Sequence, residues 1–160
     1  MAGFFGKPIK SNVSDEELTE IEEQYGFKFP PYFALYFKAY YQLLDQVFSN
    51  KYDGQLVMMP CCPSDRPLAQ LKDLIEAWNP LVKSGYIPFA QWGDGWGPIC
   101  LDMQNPTSEG NDFAVIWFDH EQIIPLAEEG CKQRENIVRF SQPLYRSFKE
   151  FFYDIYVQDD

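Results

Sequence analysis

The second half of the sequence contains short apolar segments joined by tight, polar connections, and this pattern constrains the fold more than any other feature. Residues 86–92 and 98–103 are predicted strands on either side of the turn 93–97, which reads Gly-Asp-Gly-Trp-Gly. A polar loop leads to a third predicted strand over 113–118, and a shorter strand is expected near Ile123. Because short connections join antiparallel neighbours, we predict an antiparallel meander.

Helical patterns surround this meander. Residues 15–25 are predicted to form a helix, with Ser14 and Glu17 as a capping box and Gly26 as the C-terminal cap. A second, highly aromatic helix is expected over 32–48, and core packing is favoured over exposure for its rings. The other predicted elements are a helix over 71–82 that is kinked or ended at Pro80, a strand over 55–59 and a closing helix over 143–157.

Length and composition predict one packed domain. The chain has 160 residues, of which 46% are hydrophobic and 18% aromatic. A chain of this size buries roughly 70% of its unfolded surface, so a sizeable core is expected. We find no repeat and no linker, and we therefore predict a single domain over residues 1–160.

The charge of the chain limits its partners. Asp and Glu number 24 against 13 Lys and Arg, which gives a formal net charge of −11. Such a field repels nucleic acid, so direct DNA or RNA binding is not expected. It attracts basic proteins and accelerates encounter with them. Composition alone leaves this reading and simple solubility open.

The cellular location is predicted from the absence of targeting signals. No apolar run is long enough to span a membrane, and residues 1–10 lack the apolar stretch and cleavage site of a secretory signal. Ala2 follows the initiator, whereas myristoylation requires glycine there. We expect a cytoplasmic protein without membrane attachment.

Candidate catalytic and metal-binding residues form only weak patterns. Cys61 and Cys62 are adjacent, Cys100 and Cys131 are isolated, and reduced, mostly buried thiols are expected. His120 is the only histidine, and we predict neither a metal nor a cofactor.

An enzymatic role would require a general base. In an extended segment His120 would point away from Asp119 and Glu121, so a surface histidine at a turn is favoured over a catalytic one. Pairs such as Asp94 with Asp102, or Asp119 with Glu121, are expected by chance among 24 acids.

The turn at 93–97 carries three glycines but no lysine of a phosphate-binding loop, and no strand–helix unit surrounds it. Its glycines are more consistent with positive φ angles in a hairpin. Trp92 and Trp96 could form an exposed aromatic patch with Asp94, of the kind that anchors protein interfaces; core packing is the alternative.

Four motifs, taken in order, resemble the SUKH superfamily of Smi/Knr-like domains over about residues 14–156. They are the run from Leu18 to Gly26 followed by Phe29-Pro30-Pro31-Tyr32; Ile87-Pro88-Phe89-Ala90 with Gly93-Asp94-Gly95 and Ile99-Cys100-Leu101-Asp102; residues 114–121, which end in His120-Glu121; and Ser147-Phe148-Lys149-Glu150-Phe151-Phe152. Glu22 lies near the family's glutamate position, and Phe29 replaces its leucine. The register of residues 40–56 departs from the family pattern.

The resemblance implies an α+β fold with a largely antiparallel sheet of about four to six strands flanked by helices. Many bacterial members of this superfamily are immunity proteins that bind and neutralise a toxin of a polymorphic toxin system, often a nuclease. Eukaryotic relatives are interaction modules in cell-wall signalling. No catalytic residue or cofactor comes with the family, so we expect a binding protein and not an enzyme.

Two functions follow from the resemblance and the charge. The first is an immunity protein whose acids occupy the basic substrate track of a cognate toxin. The second is a general regulatory interaction module without a toxin partner. For the partner-binding surface we predict Asp94, Trp96, Asp102, Asp119 and Glu121, which are expected to cluster around the hairpin and the strand ends.

Overall fold

A seven-stranded sheet forms the centre of this computed structural model, which describes residues 8–10, 13–43, 47–52, 55–58, 68–93 and 97–157. A separate two-stranded antiparallel sheet pairs β1 (Pro8–Lys10) with β2 (Tyr40–Leu43). The main sheet contains β3 (Val47–Ser49), β4 (Gln55–Met58), β5 (Tyr86–Trp92), β6 (Pro98–Pro106), β7 (Phe113–Trp117), β8 (Gln142–Tyr145) and β9 (Ile155–Val157). Its order is β8-β7-β6-β5-β4-β3-β9, and every neighbouring pair is antiparallel.

Helices are distributed along the whole described chain. They are α1 (Asp15–Tyr25), α2 (Pro31–Ala39), α3 (Ala69–Ala77), α4 (Asn79–Lys83), α5 (His120–Ile123), α6 (Ala127–Cys131), α7 (Arg134–Ile137) and α8 (Phe148–Asp154). Two 3-10 turns, Ile124–Leu126 and Val138–Phe140, follow α5 and α7. The predicted α+β class with a largely antiparallel sheet is confirmed, and the main sheet has seven strands because three short segments, β3, β8 and β9, add to it.

The start of α1 has the predicted capping box. The Glu17 amide donates to Ser14 Oγ at 3.2 Å, and the Ser14 amide donates to Glu17 Oε1 at 3.4 Å. Gly26 ends the helix at φ 77°, where a residue with a Cβ atom would be strained. Local sequence therefore determines both ends of this helix.

The aromatic second helix is shorter than the sequence predicts. A helix over 32–48 is wrong, because α2 ends at Ala39 and the chain continues as β2 and then β3. Aromatic residues favour strands when a partner strand is available, and β1, β4 and β9 supply that pairing. Phe48 stacks on Tyr156 across the β3–β9 pair, with ring centroids 5.8 Å apart.

The end of the chain also differs from the prediction of one helix over 143–157. Residues 142–145 form β8, and helix α8 occupies only Phe148–Asp154 before the chain becomes β9. Pro143 is tolerated in β8 because this strand lies at the edge of the sheet. The predicted kink at Pro80 is confirmed, since α3 ends at Ala77 and α4 begins at Asn79.

The main core is aromatic and lies between α2, the sheet and α8. Phe33 of α2 is fully buried, and its ring centroid lies 4.6 Å from that of Phe37, 5.3 Å from Phe89 and 4.9 Å from Phe148. Core packing of these α2 rings is therefore confirmed. In the described ranges, no helix is long and apolar enough to cross a membrane.

Candidate functional site

The five residues predicted to bind a partner fall into three groups. Asp94 and Trp96 lie outside the described residues, in the connection between β5 and β6. Asp119 and Glu121 follow the end of β7, and Asp102 lies within β6. The described geometry therefore bears on the last three.

Backbone packing brings the end of the β5–β6 connection against the segment after β7. Gly97 has φ 125°, and a Cβ atom at this position would lie 2.0 Å from the carbonyl oxygen of Phe118 and 2.8 Å from the amide nitrogen of His120. The Phe118 amide donates to the carbonyl of Pro98 at 3.1 Å. Glycine is required for so close an approach. The strand ends that carry the predicted surface residues thus meet at one end of the sheet.

Asp119 and Glu121 belong to a helix start, and the strand predicted near Ile123 is wrong. The carboxylate of Asp119 accepts a hydrogen bond from the Glu121 amide at 2.9 Å and caps α5. His120 Nδ1 lies 3.9 Å from Asp119 Oδ1, so the expectation that His120 points away from both acids is wrong for Asp119. That expectation assumed an extended backbone, whereas the turn into α5 folds the two side chains together. Glu121 is exposed.

Asp102 has an internal role in the structure. It is 5% exposed, and its Oδ1 lies 2.9 Å from Arg134 Nη2. The Gln104 amide donates to the same carboxylate at 3.1 Å. Arg134 also donates to the carbonyl of Ser84 at 3.2 Å and covers the ring of Tyr86 at 4.6 Å. These contacts link α7 to the sheet and leave Asp102 little surface for a partner, so we do not include it in the surface proposed below.

An apolar cleft of about 190 Å³ lies beside this helix start. Ile124 lines it and is 60% exposed, and Trp78 of the α3–α4 junction also lines it. Glu128 and Cys131 of α6 also line the cleft. Tryptophan is enriched among the residues that dominate protein interfaces, so this cleft is a candidate contact point for a protein partner.

The sequence offered a signal for this cleft that was misread. The apolar run Ile123-Ile124-Pro125-Leu126 is followed directly by Glu128 and Glu129. The pattern predicts a short strand near Ile123, whereas the run forms the end of α5 and a 3-10 turn that leads into α6. Adjacent side chains in a helical turn point about 100° apart, and here Ile123 is buried while Ile124 is exposed.

The chain segment that borders the cleft is acidic, and Glu128 lines the cleft itself. Between residues 119 and 132 there are four acids and one lysine, a formal charge of −3. Lys132 lies 3.3 Å from Glu128 and 3.0 Å from Glu129, and hydrogen bonds to these two carboxylates raise its pKa. One lysine pairs with both glutamates and neutralises only one of their two charges, so the segment still presents excess negative charge to solvent.

Ala127 stores backbone strain at the same cleft. It is the only described residue other than glycine with a positive φ, at 58° with ψ at 179°. Only glycine adopts this region readily, and a residue with a Cβ atom pays about 1–3 kcal/mol there. Ala127 lines the cleft, so the strain lies at the candidate site and not in a remote loop.

Two features of the described ranges bear on metal binding and thiol reactivity. There, no three His, Cys, Asp or Glu side chains lie close enough to hold a metal ion. Cys100 and Cys131 are free and buried, and burial raises the pKa of both thiols. This agrees with the expected reduced, buried state for these two. Cys61 and Cys62 lie outside the described residues.

Several motif residues of the predicted resemblance stabilise turns. Glu22 Oε2 accepts a hydrogen bond from the Phe29 amide at 2.7 Å and so closes the turn between α1 and α2. Ser147 caps α8 by accepting from the Glu150 amide at 3.0 Å. These contacts give a physical reason for a glutamate and a serine at those places.

Asp112 is a buried polar residue that the sequence did not reveal. Its carboxylate accepts hydrogen bonds from the amides of Phe113 at 2.7 Å, Phe148 at 2.9 Å and Lys149 at 3.0 Å. It thereby fixes the start of β7 to the N-terminus of α8, where the helix dipole favours a negative charge. An aspartate before a strand carries no local sign of such a distant partner.

Comparison with known proteins gives one family. The family model described as SMI1 / KNR4 family (SUKH-1) matches residues 12–154. No match was found among curated proteins or among solved structures. The matched range begins before α1 and ends with α8, so it includes all eight described helices and every strand of the main sheet except β9. The chain therefore belongs to the SMI1 / KNR4 family (SUKH-1).

Proposed function

We propose that this protein is a cytoplasmic immunity protein, a single domain that binds a basic toxin domain and neutralises it without catalysing a reaction. Family membership supports an immunity-type or Smi/Knr interaction domain. The observation that carries the proposal further is the exposed Ile124, which lines the apolar cleft together with Glu128 and lies three residues after the exposed Glu121. Such a surface complements a basic protein that has an apolar contact at its centre.

The proposed mechanism is blockage of the toxin's own binding surface. A nuclease has a basic track for phosphates, and Asp119, Glu121 and Glu128 would take the place of those phosphates. Ile124 would enter an apolar depression between the basic side chains and exclude water there. Asp94 and Trp96 remain part of the proposal, because Gly97 lies against the segment that carries Asp119.

Long-range charge would determine how fast the complex forms. The net charge of −11 accelerates encounter with a basic partner and makes the association rate fall with salt. The apolar contact at Ile124 would instead determine how long the complex lasts. The proposal therefore separates a salt-dependent association step from a dissociation step controlled by Ile124.

Co-expression with the toxin encoded beside this gene is the direct test. We expect cells with the wild-type chain to survive, and cells with Ile124→Asp or Glu121→Lys to lose protection. Glu109→Lys is the matched control, because this exposed acid lies in the β6–β7 loop at the opposite end of the sheet. Death of cells that carry the wild-type chain, together with no complex at low salt, would remove the proposal.

The second candidate is a regulatory interaction module of the Smi/Knr type without a toxin partner. The same family match supports it, because membership is compatible with an immunity-type domain and with a Smi/Knr interaction domain alike. Gene neighbourhood separates the two. A neighbouring gene for a large secreted polymorphic protein favours immunity. If that gene is absent, and deletion of the gene for this protein does not affect cell survival, the regulatory module is favoured.

A further inference from the structure

A second apolar surface lies away from the acidic cleft, in a groove between α2 and α8. The groove has a volume of about 320 Å³ and is lined by Tyr32, Leu35 and Tyr36 from α2 and by Phe148, Phe152 and Tyr153 from α8. Leu35 is 59% exposed and Tyr153 is 49% exposed. Two of the four most exposed large hydrophobic side chains in the described chain thus border one groove, although exposed apolar residues are usually scattered.

The groove is independent of the proposed toxin-binding surface. Asp112, which precedes β7, binds the amides of Phe148 and Lys149 at the start of α8. Asp119 and Glu121 follow the other end of β7. The length of this strand therefore separates the start of α8 from the acidic cleft, and one small contact does not cover both surfaces.

The groove is lined mainly by aromatic rings, which pack edge to face against one another. The centroids of Tyr36 and Phe148 are 5.6 Å apart at an interplanar angle of 67°, and those of Tyr36 and Phe152 are 5.7 Å apart at 66°. Phe152 meets Tyr153 at 6.2 Å and 88°. Polyproline II segments dock in aromatic-lined grooves, and the partly exposed rings of Tyr32, Phe152 and Tyr153 supply such a lining.

The floor of the groove is held in place before any partner arrives. Phe148 is buried and also packs against Phe33 and Phe89, with centroid distances of 4.9 Å and 5.5 Å. Asp112 and Ser147 cap the first turn of α8. A preformed groove loses little conformational entropy when a partner binds. A polyproline II segment also loses little, because it is already extended and stiff.

The charge at the groove specifies one more feature of the occupant. Among the described residues that line it, Lys149 is the only charged one, and its Nζ lies 5.6 Å from the ring centroid of Tyr32. In a chain of net charge −11, this is a local cation beside an uncharged aromatic surface. A carboxylate next to the prolines would lie against Lys149, whereas a basic residue would be repelled.

We propose that the α2–α8 groove binds an extended, proline-rich segment of another protein, and that this segment carries a carboxylate next to its prolines. The proposal goes beyond the toxin-binding function. It gives the domain a second docking site of different chemistry, which would allow a tethering partner and a toxin to bind at the same time.

Titration of the full chain with synthetic peptides tests this inference. The probes are a proline peptide with one central glutamate, the same peptide with lysine at that place, and an amphipathic helical peptide of leucine and glutamate. At 0.15 M salt we expect the glutamate peptide to bind best. NMR chemical-shift changes of the backbone amides in α2 and α8 report this binding. Tyr153→Ala should weaken its binding about tenfold, and Lys149→Gln about two- to fivefold.

Leu35→Ser is a second groove variant. Because Leu35 and Tyr153 are both exposed, we expect both variants to fold, and circular dichroism checks this. Glu121→Lys is the control on the other surface and should leave peptide binding unchanged. Three results would overturn the proposal: no binding of either proline peptide, tighter binding of the helical peptide, or an affinity that neither Tyr153→Ala nor Leu35→Ser reduces. Because no toxin is present, failure here leaves the immunity test unaffected.

Discussion

Arg134 holds Asp102 inside the protein, with the guanidinium Nη2 2.9 Å from Oδ1 and 3.0 Å from Oδ2 of the carboxylate. Asp102 is buried within β6, and Arg134 is the first residue of α7. The pair therefore connects a central strand to a short helix. It also removes one of the predicted partner-binding acids from the surface.

Loss of Asp102 should destabilise the fold. Asp102→Ala leaves the Arg134 guanidinium without its carboxylate, and breaking a buried pair costs about 3 kcal/mol. Urea unfolding of the variant measures this loss, with Glu109→Ala as the exposed control that should change little. Equal stabilities for the two variants would contradict the internal role of Asp102.

Substitution of Gly97 should also destabilise the protein. An alanine Cβ atom would lie 2.0 Å from the Phe118 carbonyl oxygen, so the strand ends must move apart at a cost of about 2–3 kcal/mol. Gly110→Ala is a matched control, because Gly110 also has a positive φ, of 76°, but no atom lies within 4 Å of an added Cβ. It should cost only about 1 kcal/mol. Thermal unfolding compares the two, and a smaller loss for Gly97→Ala than for Gly110→Ala would contradict the close approach.

The strain at Ala127 predicts a stabilising substitution. Ala127→Gly relieves a conformation that costs an alanine about 1–3 kcal/mol and should raise the free energy of unfolding by about 1 kcal/mol. Ala34→Gly, in the interior of α2, should lower it by about 1 kcal/mol or more. Chemical denaturation of both variants checks the opposite signs. A destabilised Ala127→Gly variant would show that the strain is not present in solution.

Asp154 should make stability depend on pH in acid. Burial alone would raise the pKa of this carboxyl, but hydrogen bonds from Tyr145, Ser49 and the Lys51 amide outweigh burial and hold the pKa below its ordinary value of 3.8. A carboxyl with a lowered folded-state pKa stabilises the fold above the unfolded value, and this stabilisation is lost as the pH falls through the folded pKa.

Asp154→Asn should accordingly be less stable than the wild type at pH 7, and the difference should shrink as the pH falls below about 3.8. Urea unfolding at a series of pH values measures it. Glu109→Gln removes a charge from an exposed loop and serves as the control. A stability difference for Asp154→Asn that stays constant down to pH 2.5 would be inconsistent with this account.

Local signals in the sequence predicted the parts of the fold that local physics determines. The capping box at Ser14, the kink at Pro80 and the β5–β6–β7 meander depend on neighbouring residues, and all three are present. The strands at 40–43, 142–145 and 155–157 were predicted as helix. Their conformation depends on pairing with strands distant in the chain, and an apolar pattern cannot show that pairing.

In the candidate site, too, the local features were predictable from the sequence and the contacts between distant residues were not. The meeting of the β5–β6 connection with Asp119 was expected from the antiparallel order of the strands, and Gly97 supports it. The burial of Asp102 was not foreseeable, because Arg134 lies 32 residues further along the chain. Ile124 was missed because an apolar run of four residues fits a strand and a short helix equally well.

Calorimetric titration of the neighbouring toxin domain with this protein tests the central proposal most directly. We predict a stoichiometric complex whose association weakens with salt, an affinity reduced at least about tenfold by Ile124→Asp and by Glu121→Lys, and an unchanged affinity for Glu109→Lys. Equal effects of Glu121→Lys and Glu109→Lys, with no effect of Ile124→Asp, would contradict the proposed acidic surface.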